Sequence, residues 1–149
     1  MVSIVELAIN QIGHKEDPPD SNKTMYGEWF GMNGVPWCAI FVSWVYAHAN
    51  KPLGNIGFPK GMAGCQSAVK YFKDHGNIVP DPEPGDIVFF DWNGDGRYDH
   101  TGIFIKWQSD EHLTFDTVEG NTSVGNDSNG GKVMYRVRSV KNNPIFVRI

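Results

Sequence analysis

Along the first half of the chain, apolar residues recur three and four positions apart; along the second they gather in short β-branched and aromatic runs. Ile4, Leu7, Ala8 and Ile12 mark one helical face, stopped by Gly13. Ser3 and Glu6 read as a capping box at its start, the hydroxyl meeting the Glu6 N–H and the carboxylate reaching back to the Ser3 N–H. Residues 14–23 are polar and contain Pro18-Pro19, which predicts a surface loop. A short helix carrying Tyr26, Trp29 and Phe30 follows and ends at Gly31. Ala39, Val42, Val45, Tyr46 and Ala49 keep the spacing of a buried face and predict a helix over 37–50. A Gly/Pro loop leads to another helix over 62–75, closed by Gly76.

After PDPEPG at 80–85 the pattern changes. Residues 86–90, 100–107, 113–119, 133–140 and 145–149 are short, β-branched and aromatic, and turn residues separate them. Helices first and strands afterwards imply an α+β domain, N-terminal helices packed on a C-terminal antiparallel sheet of five to six strands. The whole chain, 1–149, is expected to form one domain and to be a monomer. It shows no repeat and no internal linker.

Composition narrows the function. The net charge of −4 offers no basic footprint for nucleic acid, and no apolar run reaches the length of a membrane span. The N-terminus lacks the basic segment of a secretory signal and carries Glu6 within its apolar pattern. Two cysteines do not make a disulfide framework, although the sequence leaves a Cys38–Cys65 bridge open, and no C-x-x-C or H-E-x-x-H points to zinc. Many aromatic residues and 17 glycines fit a loop-rich domain with an aromatic-lined groove.

The chemistry centres on Cys38. It stands two residues after Pro36, at the start of a predicted helix, where unpaired N–H groups and the helix dipole favour a thiolate. The same N–H groups could hold an oxyanion on a substrate carbonyl. Position alone serves a buried structural thiol equally well. A nucleophile needs a base. His48 lies ten residues along the same helix, roughly 15 Å away by helical rise. His14 and His75 fall at helix C-termini, and His112 in a polar turn. His100 opens a strand directly after a turn, where a rigid scaffold can present a base. Glu119 and Asn121 close the next strand; if the two strands pair antiparallel, both fall near His100.

These residues and their flanks resemble the CHAP family, the cysteine- and histidine-dependent amidohydrolases and peptidases of papain-like fold. The matching pieces are YGEWFG at 26–31, PWCAIFVSW at 36–44, PGDIVFF at 84–90, DHTGI at 99–103 and VEGN at 118–121, in the family's order. The resemblance implies Cys38 as nucleophile, His100 as base, Glu119 as the group orienting the imidazole, and Asn121 as a fourth member. It implies bacterial peptidoglycan as substrate, cut by an endopeptidase or an N-acetylmuramoyl-L-alanine amidase. Such domains are typical of bacteriophage endolysins, which stay in the host cytoplasm until release, often with a separate wall-binding domain. Tyr26 and Trp37, near the nucleophile, are candidate walls of the substrate groove.

A second constellation precedes His100. Asp91, Asn93 and Asp95 alternate ahead of Gly96 as in the first half of a calcium loop, with the Arg97 carbonyl and the Asp99 carboxylate as further donors. Gly102 stands where such a loop carries its bidentate glutamate. A structural calcium ion bracing the loop is the expectation; two strong hairpin-turn signals, Asn93-Gly94 and Asp95-Gly96, are the alternative. Two other functions stay open: a non-catalytic wall-binding module, and a cysteine peptidase with another peptide substrate.

Overall fold

A computed structural model describes residues 3–149. Four helices, α1 (Ile4–Asn10), α2 (Met25–Phe30), α3 (Cys38–His48) and α4 (Cys65–Asp74), precede six strands: β1 (Ile78–Val79), β2 (Ile87–Phe90), β3 (His100–Trp107), β4 (Thr114–Thr122), β5 (Lys132–Ser139) and β6 (Ile145–Val147). The strands form one sheet in the order β1-β6-β2-β3-β4-β5, every pairing antiparallel. The predicted α+β arrangement is the observed one. No helix among the described residues is long and apolar enough to cross a membrane.

Local chemistry explains most of the boundaries. Ser3 Oγ accepts from the Glu6 N–H at 3.1 Å, so the hydroxyl half of the predicted capping box forms; a complete box appears instead at the Val140–Asn142 turn, between Ser139 and Asn142. The first helix ends at Asn10, which leaves Ile12 outside its buried face and 40% exposed. Thr24 caps α2, and Gly31 ends it at φ 90°. The fourth helix starts three residues later than the pattern predicts, because Gly64 is its extended N-cap and Met62 lies in the irregular connection before it. The two-residue strand β1 is too short to leave a periodic signal and exists through its pairing with β6.

The third helix is buried over most of its circumference rather than along a stripe, with Ile40, Phe41 and Ser43 as inaccessible as the predicted Ala39, Val42 and Val45, and Cys38 7% exposed. Contacts with α1 and α2 on one hand and with β3 and β4 on the other account for this. One sheet face, with Ile87, Phe89, Ile103, Val118 and Val133, packs on these helices. The other face carries a second cluster, Val88, Phe90, Phe104, Phe115 and Phe146, flanked by Trp92 and Trp107. Phe90 pairs with His100 in register, which places the histidine beside this aromatic cluster at the end of the sheet where β3 begins.

Candidate active site

Cys38 is the first residue of α3, and its N-cap, Trp37, makes no side-chain capping bond. The first-turn N–H groups of the helix are therefore free of any side-chain cap beside the thiol. Trp37 is itself anchored: its Nε1 donates to Glu16 Oε2 at 2.9 Å, and its ring stacks on Tyr26 with centroids 5.6 Å apart. Tyr26 in turn donates to Gln11 Oε1 at 2.9 Å and packs edge-on to Phe41 and Trp44. Both Tyr26 and Trp37 are wholly inaccessible. Rather than walling a groove, as expected of them, they hold the start of α3 in place. Glu16, inside the stretch predicted as a surface loop, is buried because Trp37 needs an acceptor there.

His100 and Glu119 meet across β3 and β4. Nε2 of His100 lies 2.9 Å from Glu119 Oε1, with both side chains fully buried. The register pairs Ile103 with Val118, so Gly102 faces Glu119. A Cβ on Gly102 would lie 2.5 Å from Glu119 Cγ; only a bare backbone lets the carboxylate cross to the histidine. Gly120 answers a similar need on the helix side, where a Cβ would stand 2.7 Å from Phe41 Cβ and 2.9 Å from Trp37 Cζ3. The glycines of DHTG and VEGN are thus sites of close approach.

A buried carboxylate needs more than one donor. Arg138, on β5, grips Glu119 with two bonds, Nη2 to Oε1 at 2.6 Å and Nε to Oε2 at 2.8 Å, and Thr117 Oγ1 donates to Oε2 at 2.6 Å. The guanidinium lies 4.8 Å over the Trp92 ring and reaches Asp127 Oδ1 at 3.0 Å. Sequence reasoning missed Arg138. Its signal was an arginine within a predicted strand, in a chain whose buried acid had no assigned cation.

With Nε2 committed to Glu119, the buried Nδ1 of His100 has no well-formed hydrogen bond and is the nitrogen left to meet Cys38. Three groups hold the Cys38 thiol well below its ordinary pKa. The Cys65 thiol, 3.9 Å away, leads; burial opposes it; His100 and the Thr101 backbone N–H add to it. His100 moves the other way. Burial disfavours its charged form, yet the Glu119 charge and its contacts with Cys38 and Glu119 outweigh that and raise its pKa to about 9. For Glu119, burial pushes up, and the Arg138 bonds with the His100 charge bring it down to about 2. Together these shifts favour a thiolate beside an imidazolium, backed by a carboxylate and a guanidinium.

Asn121 is not brought to this line. Its side chain donates to Asn129 Oδ1 at 3.2 Å and accepts from the Gly131 N–H at 3.0 Å, tying the β4–β5 connection from a backbone at φ 60°. The remaining histidines turn back on themselves: Nδ1 of His14, His48 and His75 bonds the carbonyl of Gln11, Trp44 and Tyr71, while the exposed His112 stacks on Trp107.

The loop before His100 fits a cation in part. Asn93 reaches Asp91 Oδ1 at 3.2 Å and Asp95 Oδ1 at 3.1 Å; turned nitrogen-first its amide donates to both, and turned oxygen-first it brings three oxygens together. Asp91 also accepts from the Asp95 and Gly96 N–H groups at 3.2 and 2.8 Å. Asp99 turns to the Trp92 N–H at 3.0 Å, and Arg97 donates its N–H to Asp95 Oδ1 at 2.9 Å. Among the described residues, no three His, Cys, Asp or Glu side chains gather closely enough to hold a metal.

No curated protein matches the chain. The family model of the CHAP domain matches residues 30–121, well over half of its length. That span includes the cysteine at the helix mouth, the histidine opening β3 and the glutamate closing on it across Gly102. The chain belongs to the CHAP domain family, hydrolases of the amidase and peptidase type.

Proposed function

We propose that this CHAP domain cleaves an amide bond in the peptide part of bacterial peptidoglycan, with Cys38 as nucleophile, His100 as acid and base, and Glu119 orienting the imidazole. The observation that carries the reading is the buried pair of His100 Nε2 and Glu119 Oε1, 2.9 Å apart, which leaves Nδ1 free on the side of Cys38. Carboxylate and histidine buried together would be a costly way to hold a sheet; facing a thiol at a helix mouth, they make a nucleophile.

The Cys38 thiolate attacks the scissile carbonyl carbon, and the charge that develops on oxygen falls near the uncapped first-turn N–H groups of α3. His100 gives its Nδ1 proton to the departing amine, leaving a thioester on Cys38. Neutral His100 then takes a proton from water, which attacks the thioester and releases the carboxylic acid and the thiolate. Glu119 keeps Nε2 protonated and the ring aimed throughout; Arg138 keeps Glu119 ionised. The bond is that of an endopeptidase or of an N-acetylmuramoyl-L-alanine amidase. The biological setting proposed, on family resemblance alone, is a bacteriophage endolysin that reaches the wall after release from its host.

A structural calcium ion on Asp91, Asn93 and Asp95 belongs to the same proposal. When bound it supplies a positive charge that braces the turn leading into His100. The Asp91 and Asp95 carboxylates drawn together around the Asn93 amide, 3.2 and 3.1 Å from it, support it.

The test is digestion of purified Gram-positive cell walls, with mass spectrometry of the released fragments. Wild type should expose one kind of new terminus, which identifies the bond, and Cys38→Ala and His100→Ala should release none while melting as folded proteins. Residual hydrolysis by Cys38→Ala would remove it as nucleophile. Intact walls after wild-type treatment, with hydrolysis of another peptide, would overturn peptidoglycan as substrate.

A further inference from the structure

The structure places a second thiol against the first. Cys65 opens α4 as Cys38 opens α3, both thiols are free, and their sulfurs are 3.9 Å apart in a buried setting. This proximity is built by contacts far from either sulfur. Buried Ser43, one turn into α3, accepts the Met62 N–H at 3.0 Å and lies 3.0 Å from the Met62 carbonyl, pinning the segment that leads into α4. A Cβ on Gly61 would stand 2.6 Å from Ser43 Oγ, so that segment approaches closely only as glycine. At the other side, Gln66 Oε1 accepts the Tyr98 N–H at 2.9 Å, joining the start of α4 to the loop that delivers His100. The first turn of α4 is thereby tied both to the nucleophile's helix and to the base's loop.

We propose that Cys65 is a positioning residue for the nucleophile, its S–H donating to Cys38 Sγ and holding Cys38 as a thiolate. The inference rests on the reading of Cys38 as nucleophile and adds a residue outside the cysteine, histidine and glutamate set. A buried thiolate needs donors in place of water, and a neutral thiol supplies one without adding a charge that His100 would have to share. The groups facing Cys38 are His100 and the Thr101 N–H from β3 and Cys65 from α4, with Glu119 and Arg138 behind His100. Cys65 is suited to keep its proton. The bond to Cys38, burial, and the negative charges of Cys38 and Asp99 all raise its pKa well above the ordinary value. One thiol is thereby driven to ionise and its neighbour to stay protonated, the division a donor–acceptor pair requires.

The test reads Cys38 itself, without substrate. Reduced wild type, Cys65→Ser, Cys65→Ala and Cys65→Val are alkylated with iodoacetamide across a pH series, and Cys38 modification is followed by peptide mass spectrometry. Loss of a hydrogen bond to a charged acceptor should move the Cys38 reactivity midpoint upward by about one to two pH units in the Ala and Val variants. Serine keeps a donor in nearly the same volume and should stay within about half a unit of wild type. Valine fills the site without donating; if it matches wild type, Cys65 is a packing residue and the proposal fails. The proposal fails equally if serine shifts as far as alanine. An alkylation pattern as expected, in a protein that leaves cell walls intact, would sustain the role of Cys65 while refuting the substrate.

Discussion

Glu119→Gln tests the electrostatics of the site with almost no change of shape. Glutamine can still meet His100 Nε2 and Arg138, but it carries no charge. Burial is the largest influence on His100 and acts against protonation, so without the carboxylate the upward pull of Cys38 stands nearly alone. The imidazole should fall from about 9 toward its ordinary 6.5, or below. A difference of about 2.5 pH units corresponds to about 3 kcal/mol. At pH 8 the protonated fraction drops from about nine-tenths to about one-thirtieth, a loss of roughly 30-fold in imidazolium before any loss of aim is counted. Two assays read this. In the pH dependence of wall hydrolysis, the alkaline limb should move from near 9 to near or below neutrality, and a histidine NMR titration should report the same midpoint for His100. Stability follows with a definite sign. A pKa raised in the folded state contributes fully below the ordinary value, and the contribution is lost as pH climbs through about 9. Measured against the variant, wild type should therefore lose about 3 kcal/mol of relative stability between roughly pH 6.5 and pH 9, the opposing gain from the lowered Cys38 thiol being shared by both proteins. The depressed Glu119 value is the same interaction seen from its partner, kept above about 4.5 and lost as pH falls through about 2, and is not added. Because glutamine leaves Arg138 short of a countercharge, Glu119→Gln/Arg138→Met serves as the control with the charges removed together. An alkaline limb and a His100 titration unchanged from wild type, in a protein of normal melting temperature, would falsify the assignment of Glu119 as the group that keeps His100 charged.

Arg138→Met leaves Glu119 buried without its bidentate partner and should cost about 3–5 kcal/mol in urea unfolding; a loss under 1 kcal/mol would mean that Glu119 does not depend on this arginine. Gly120→Ala drives a methyl group into Phe41 and Trp37 and should destabilise by about 1–3 kcal/mol, with reduced Cys38 reactivity because the start of α3 must yield. A neutral result there would show that the helix does not rest on β4 at this point. Chelation by EGTA should lower the melting temperature of a protein purified with calcium, and added calcium should restore it; Asp91→Asn/Asp95→Asn should erase the response. Calorimetry that finds no calcium binding takes the ion out of the account.

What the sequence determined by itself was whatever is encoded within a few residues. Helix starts at Ser3 and near Cys38 and strand locations in the second half follow from caps, turn residues and periodicity, all short-range physics. The helix mouth at Cys38, the strand start at His100 and the acid late in the next strand at Glu119 were legible for the same reason, although that strand runs on to Thr122. So was their pairing, since an antiparallel hairpin sets the end of one strand beside the start of the other. Tertiary structure decided everything that rests on who stands opposite whom. Tyr26 and Trp37 have the side chains of a binding wall, and only the seating of α3 against Gln11 and Glu16 turned them into core. Asn121 is two residues from Glu119, yet its left-handed backbone sends its amide to Asn129 and Gly131 instead of the histidine. Arg138 stood out only as an arginine within a predicted strand and Cys65 only as the second cysteine, because a buried charge or thiol acquires its role from partners distant in sequence. Local propensities choose the elements; desolvation chooses the partners, since a carboxylate or a thiolate taken out of water must find its donors wherever the fold has brought them.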